Sequence, residues 1–88
     1  MKLEHGIAYN CQTKQDYDAF VALIKSMEYG WTLGDAPWKL FNSLTCLDVE
    51  FCDGEIIQVS YCSCRWYEDN GWTVVPFARP YKDGLDVV

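Results

Sequence analysis

Thr45-Cys46-Leu47-Asp48-Val49-Glu50-Phe51-Cys52-Asp53-Gly54-Glu55-Ile56-Ile57-Gln58-Val59-Ser60-Tyr61-Cys62-Ser63-Cys64-Arg65 decides the fold. Leu47, Val49 and Phe51 share one parity, and Ile57, Val59 and Tyr61 share one after the turn. Cys46, Asp48, Glu50 and Cys52, with Gln58, Ser60, Cys62 and Cys64, hold the other. A period of two sends side chains to alternate faces of a strand, and Asp-Gly between two alternating runs is a strong hairpin signal. The stretch therefore predicts a half-buried antiparallel hairpin that turns at Asp53-Gly54. One face is apolar; the other carries acids and thiols, and chemistry is to be sought there first.

Upstream of the hairpin, Gly6 to Cys11 reads as a short strand. Thr13 is a good helix N-cap, with Asp16 at the capping-box position. Tyr17, Phe20, Val21, Ile24 and Met27 then recur at the spacing of one buried stripe, which predicts an amphipathic helix of about four turns closed by Gly30. Asp35-Ala36-Pro37-Trp38 has the form of a second, very short helix, with Asp35 capping and Pro37 in the first turn. Downstream, Trp66 to Gly71 reads as a turn or single helical turn closed by Asn-Gly. Trp72 to Phe77 returns as a strand that Pro76 places at a sheet edge. The expected class is α+β: one antiparallel sheet of about four strands, packed by one main helix and a short one, in the order β-α-(α)-β-β-β. Residues 1–77 form a single domain, and 78–88, without visible period, form a C-terminal tail.

The chain has 88 residues, 16% of them aromatic, with four Trp and six Tyr. That supplies enough apolar area for one core without a covalent staple. Seven basic against 13 acidic residues give a net charge of -6, which disfavours nucleic acid and anionic membranes as direct partners and favours a basic protein surface. Met1-Lys2-Leu3-Glu4-His5 turns charged at once, and no apolar run approaches a membrane span, so the expected location is the cytoplasm. Five cysteines are an odd number, which argues for reduced thiols rather than a disulfide framework.

Several segments, taken in order, carry a resemblance: Asp16-Tyr17-Asp18-Ala19-Phe20 through Tyr29-Gly30-Trp31-Thr32-Leu33-Gly34, Trp38 to Val49, Ile56 to Tyr61, and Trp66 to Phe77. This order resembles a class of small proteins carried by phages and prophages of bacteria, over about residues 13 to 77. Cys52, Cys62-Ser63-Cys64 and the turn Phe51-Cys52-Asp53-Gly54 depart from that pattern. The resemblance transfers no catalytic residue. It implies a role as a small early protein that binds and disables a host enzyme or a defence system.

The thiols invite metal and redox readings. Hairpin register can set Cys46 beside Cys62 with Cys64 one pleat further on. Zinc wants four tetrahedral ligands, usually from Cys-x2-Cys knuckles, whereas this chain offers Cys-x-Cys and a lone His5. A thiol or zinc regulatory module therefore stays open as an alternative, and no cofactor is expected. Catalysis fares worse. Asp48 and Glu50 lie about 7 Å apart on one strand face, but no phosphate loop, His-Glu-x-x-His or nucleophile elbow accompanies them, and His5 is the only imidazole. The expectation is a non-enzyme.

Binding suits the composition better. Trp66, Tyr67 and Trp72 cluster around the acids Glu68 and Asp69, with Asp48, Glu50, Asp53 and Glu55 nearby on the hairpin. Trp and Tyr are typical interface anchors. These nine residues are the candidate binding surface for a host or defence protein with a basic surface, the acids imitating nucleic-acid charge. A small-ligand role, with aromatic rings enclosing a nucleobase or nucleotide, is the alternative from another class, and pairing of hairpin edges into a homodimer is left open.

Overall fold

The computed structural model describes residues 3–77, and the tail expected over 78–88 lies outside the described residues. The elements are β1 (Ile7–Cys11), α1 (Lys14–Ser26), α2 (Ala36–Phe41), a 3-10 turn (Asn42–Leu44), β2 (Thr45–Cys52), β3 (Glu55–Ser63), α3 (Cys64–Asp69) and β4 (Thr73–Pro76). The class is α+β, with one open four-stranded sheet in the order β3-β2-β1-β4.

The hairpin keeps the expected register over most of its length, with Cys46 opposite Cys62, Leu47 opposite Tyr61 and Val49 opposite Val59. Asp53 and Gly54 take φ of 53° and 82°, the left-handed pair that lets a two-residue turn follow the strand twist. Beside the turn the pairing shifts between Glu50 and Phe51, so that Phe51 meets Ile56 and Glu50 meets Gln58. Ile57 is the extra residue of a β-bulge. Ile56 packs on the core in its place, and Ile57, which strict alternation puts inside, is 58% exposed.

The sheet is mixed rather than wholly antiparallel, because β4 pairs parallel to β1, from Ile7 opposite Thr73 to Asn10 opposite Pro76. β3 and β4 lie at opposite edges, so the chain between them must cross β2 and β1. A tight turn cannot make that crossing. Residues 64–69 make it as a third helix, where the sequence suggests at most a single turn. Ser63 starts α3 by accepting the Trp66 backbone N–H at 3.2 Å, and Gly71 ends the crossing at φ 81°.

Thr13 caps α1 as expected, its Oγ1 accepting the Asp16 backbone N–H at 3.0 Å. Tyr17, Phe20 and Ile24 are buried, whereas Met27, past the end of the helix, is exposed. The helix stops earlier than Gly30 suggests. Glu28, at φ 66°, takes the left-handed position, with Glu28 N–H bonded to Lys25 O and Tyr29 N–H to Ile24 O. This is a Schellman end, set by Tyr29 folding its ring back on the core. Asp35 precedes α2 without a side-chain cap bond; its carboxylate lies 3.4 Å from Lys14 Nζ instead.

The face of the sheet under α1 holds the main core. Tyr9, Cys11, Leu47 and Val49 meet Tyr17, Phe20 and Ile24, with Leu3 and Phe77 closing its margin. Phe20 and Phe77 meet edge to face at 5.2 Å, and Tyr17 lies between Trp31 and Trp38 at 6.3 and 6.2 Å. Trp31, Trp38 and Trp72 are thus partly buried packing residues.

Candidate functional site

α3 changes the second face of the hairpin. β2 is buried at each position from Thr45 to Val49, which means that both of its faces are covered there. Ala8, Cys46 and Tyr67 form a small second core, with Cys62, Cys64, Trp72 and Val74 packed around it. The sequence reading places Asp48 in a solvated acidic wall and Tyr67 at the surface as an anchor, and the structure corrects both. Asp48 is 6% and Tyr67 1% exposed, because α3 lays the Tyr67 ring over the strand and Tyr67 Oη donates to Asp48 Oδ2. Burial pushes the Asp48 carboxyl above the ordinary range, against the lowering effect of that hydrogen bond. Burial, reinforced by the neighbouring carboxylate, also pushes the Tyr67 phenol up.

Beside this contact lies a groove of about 450 Å³. β2 and β3 contribute Asp48, Glu50, Gln58, Ser60, Tyr61 and Cys62, α3 contributes Trp66 and Tyr67, and Trp72 and His5 complete its polar and aromatic lining. Trp66 and Trp72 each meet Tyr67 edge to face, at 5.1 and 5.2 Å, so the three rings form one cluster with Tyr67 in the middle. Trp66 remains 46% exposed. Among the described residues, neither Lys nor Arg lines the groove.

Five of the nine candidate residues therefore come together: Asp48, Glu50, Trp66, Tyr67 and Trp72. The other four do not line it. Asp53 and Glu55 are exposed at the hairpin turn, and Glu68 and Asp69 are exposed on α3, where Asp69 lies 3.8 Å from Arg65 Nε. Tyr61 and four further polar residues of the lining are outside the candidate set. Gln58, Ser60 and Cys62 share the parity of the acids and could have been found from it; nothing in the sequence places His5 here.

The thiols also differ from expectation. Cys46 faces Cys62 in the ladder, yet its sulfur meets Cys64, at 2.7 Å. The chain leaves β3 at Ser63 and coils back over β2, which carries Cys64 onto Cys46. Cys11 is buried in the core under α1, and Cys52 is exposed at the hairpin turn. Among the described residues, no group of three or more His, Cys, Asp or Glu side chains is placed to hold a metal ion, and no helix is long and apolar enough to cross a membrane. No protein-family model, curated protein or solved structure matches this chain.

Proposed function

We propose that this chain is a small, non-enzymatic acidic binding protein of the phage or prophage inhibitor kind. It acts in the cytoplasm of the host bacterium, and its α3-side groove takes a basic segment of a host or defence protein. The observation that carries this reading is the half-exposed Trp66 ring at a groove that contains carboxylates and, among the described residues, neither Lys nor Arg. A Trp held in an aromatic cluster is a ready anchor, because little side-chain freedom remains to be lost on binding. The surrounding acids Glu50, Asp53, Glu55 and Glu68 attract a basic partner and present negative charge as a nucleic acid would.

Wild-type protein, Trp66→Ala and Glu50→Lys/Glu68→Lys, each checked for folding by circular dichroism, are immobilised and exposed to bacterial lysate. Mass spectrometry reads what is retained. A specific partner should fall at least tenfold on loss of the Trp66 anchor and fall further in the charge-reversed variant at low salt. Equal recovery of the same proteins by all three variants would sink the reading. Asp48 is excluded from this test, since its carboxyl is buried under Tyr67.

The groove volume also lies in the range of small-ligand sites, which supports sequestration of a small molecule as a second reading. With acids and aromatic rings in the described lining but no Lys or Arg, the groove suits an amine-bearing ring better than a phosphate. A thermal-shift screen of nucleosides, nucleotides and aromatic amines separates the readings, because a true ligand raises Tm with its concentration.

A further inference from the structure

Cys46 and Cys64 stand 18 positions apart in sequence and 2.7 Å apart at their sulfurs. That approach is longer than a covalent S–S bond of about 2.05 Å and far closer than two sulfurs need come for packing alone. The two thiols sit on different elements. Cys46 is wholly buried on the central strand β2, whereas Cys64 is half-buried in the first turn of α3. Nothing in the groove reading uses them, and no metal-holding group among the described residues includes them.

We propose that Cys46 and Cys64 are a reversible dithiol–disulfide pair, oxidised by low-molecular-weight disulfides, whose closure ties α3 to the central strand. The accessible Cys64 reacts first. Its thiolate attacks one sulfur of the small disulfide, forms a mixed disulfide and expels a small thiolate, which takes up the proton that Cys64 lost. The Cys46 sulfur then attacks the Cys64 sulfur, forms the Cys46–Cys64 bond and expels the second small thiolate, which takes the Cys46 proton. Two thiols are oxidised and one small disulfide is reduced to two small thiols, so atoms and electrons balance. Burial and the hydrogen bond to Cys64 push the Cys46 thiol up, so that Cys64 rather than Cys46 is the thiol that meets the small disulfide.

The choice of Cys64 rather than Cys62 has a structural consequence. A bond from Cys46 to Cys62 would only join two strands already paired along the ladder. A bond to Cys64 fixes the start of the helix that carries Trp66 and Tyr67, and so fixes one side of the groove.

The full chain carrying Cys52→Ser, which removes the exposed thiol at the hairpin turn, is equilibrated with oxidised and reduced glutathione at a series of ratios. Free thiols are then alkylated, and the protein is mapped by mass spectrometry. The expected result is a species lighter by two hydrogens with Cys46 linked to Cys64. Its Tm should rise on the order of 10 °C and return to the starting value with dithiothreitol. Cys64→Ser in the same background should lose both the link and the shift; this half-buried position keeps the test usable where Cys46→Ser does not fold. Linkage of Cys46 to Cys62, or Cys46 and Cys64 both alkylated at every ratio, overturns the proposal.

Discussion

The two faces of the sheet solve burial in opposite ways. Under α1, large apolar and aromatic rings interlock: Tyr9, Phe20 and Phe77 meet pairwise, and Tyr17 sits between two indoles. Under α3, the buried centre is Ala8, Cys46 and Tyr67, and a carboxylate is buried with them. The first face depends on apolar area and dispersion, which need only volume and shape. The second depends on one hydrogen bond to a buried acid, which needs the right donor in one place. A six-residue helix cannot cover a strand with apolar bulk, so small residues and a polar contact fill the space beneath it. The uncovered remainder of that face is the groove.

The contrast would be upset most by Phe20→Ala. It empties a site that is fully buried and ringed by aromatic side chains, at a cost of about 3–5 kcal/mol, a large part of the stability of a domain this size. Urea unfolding followed by circular dichroism reads the loss; a cost below about 1 kcal/mol would mean that the α1 face is not the main core.

Tyr67→Phe tests the second face with almost no change in volume. It leaves Asp48 buried without its donor and should cost about 1–3 kcal/mol in the same urea measurement, whereas a purely apolar contact would be nearly indifferent to the lost hydroxyl. The pH dependence distinguishes the faces further. Because burial raises the Asp48 carboxyl in the folded protein, the folded state holds a proton that the unfolded chain has already released in the window between the two values. The Asp48 contribution is full below the ordinary carboxylate range and is lost as pH rises through the raised folded value. Wild-type protein should therefore gain stability relative to Asp48→Asn as pH falls from neutral toward about 4. A difference that does not change with pH would place Asp48 in water.

The smallest effect is expected at the bulge. Ile57→Thr should change stability by no more than about 0.5 kcal/mol, while Ile56→Thr should cost about 1 kcal/mol or more. The reverse order, read from paired urea titrations, would restore strict alternation and remove the bulge.

Much of the fold was legible because its signals are local. Thr13 caps α1, Tyr17, Phe20 and Ile24 repeat at helical spacing, and Asp53-Gly54 turns the hairpin, each within a few residues of the element it sets. The departures share a non-local cause. Gly30 signals a helix end that Glu28 takes instead, because the ring of Tyr29 finds the core from its own position. Parity puts Ile57 inside because a bulge is invisible to it. For the candidate site, composition marks the aromatic and acidic residues, and parity puts Asp48 and Glu50 with Gln58, Ser60 and Cys62; neither tells which of them α3 covers.

The hairpin, its turn, the amphipathic helix and the division of the hairpin into an apolar and a polar face all follow from the order of the residues, since periodicity and capping act between near neighbours. Packing in three dimensions settles the rest: β4 joins the far edge in parallel, α3 must cross the sheet to bring it there, and this crossing buries Asp48 under Tyr67 and sets Cys64 on Cys46. Which strands become neighbours depends on contacts between distant segments, and those contacts select which of the polar face's acids and thiols stay in water and which become part of the core.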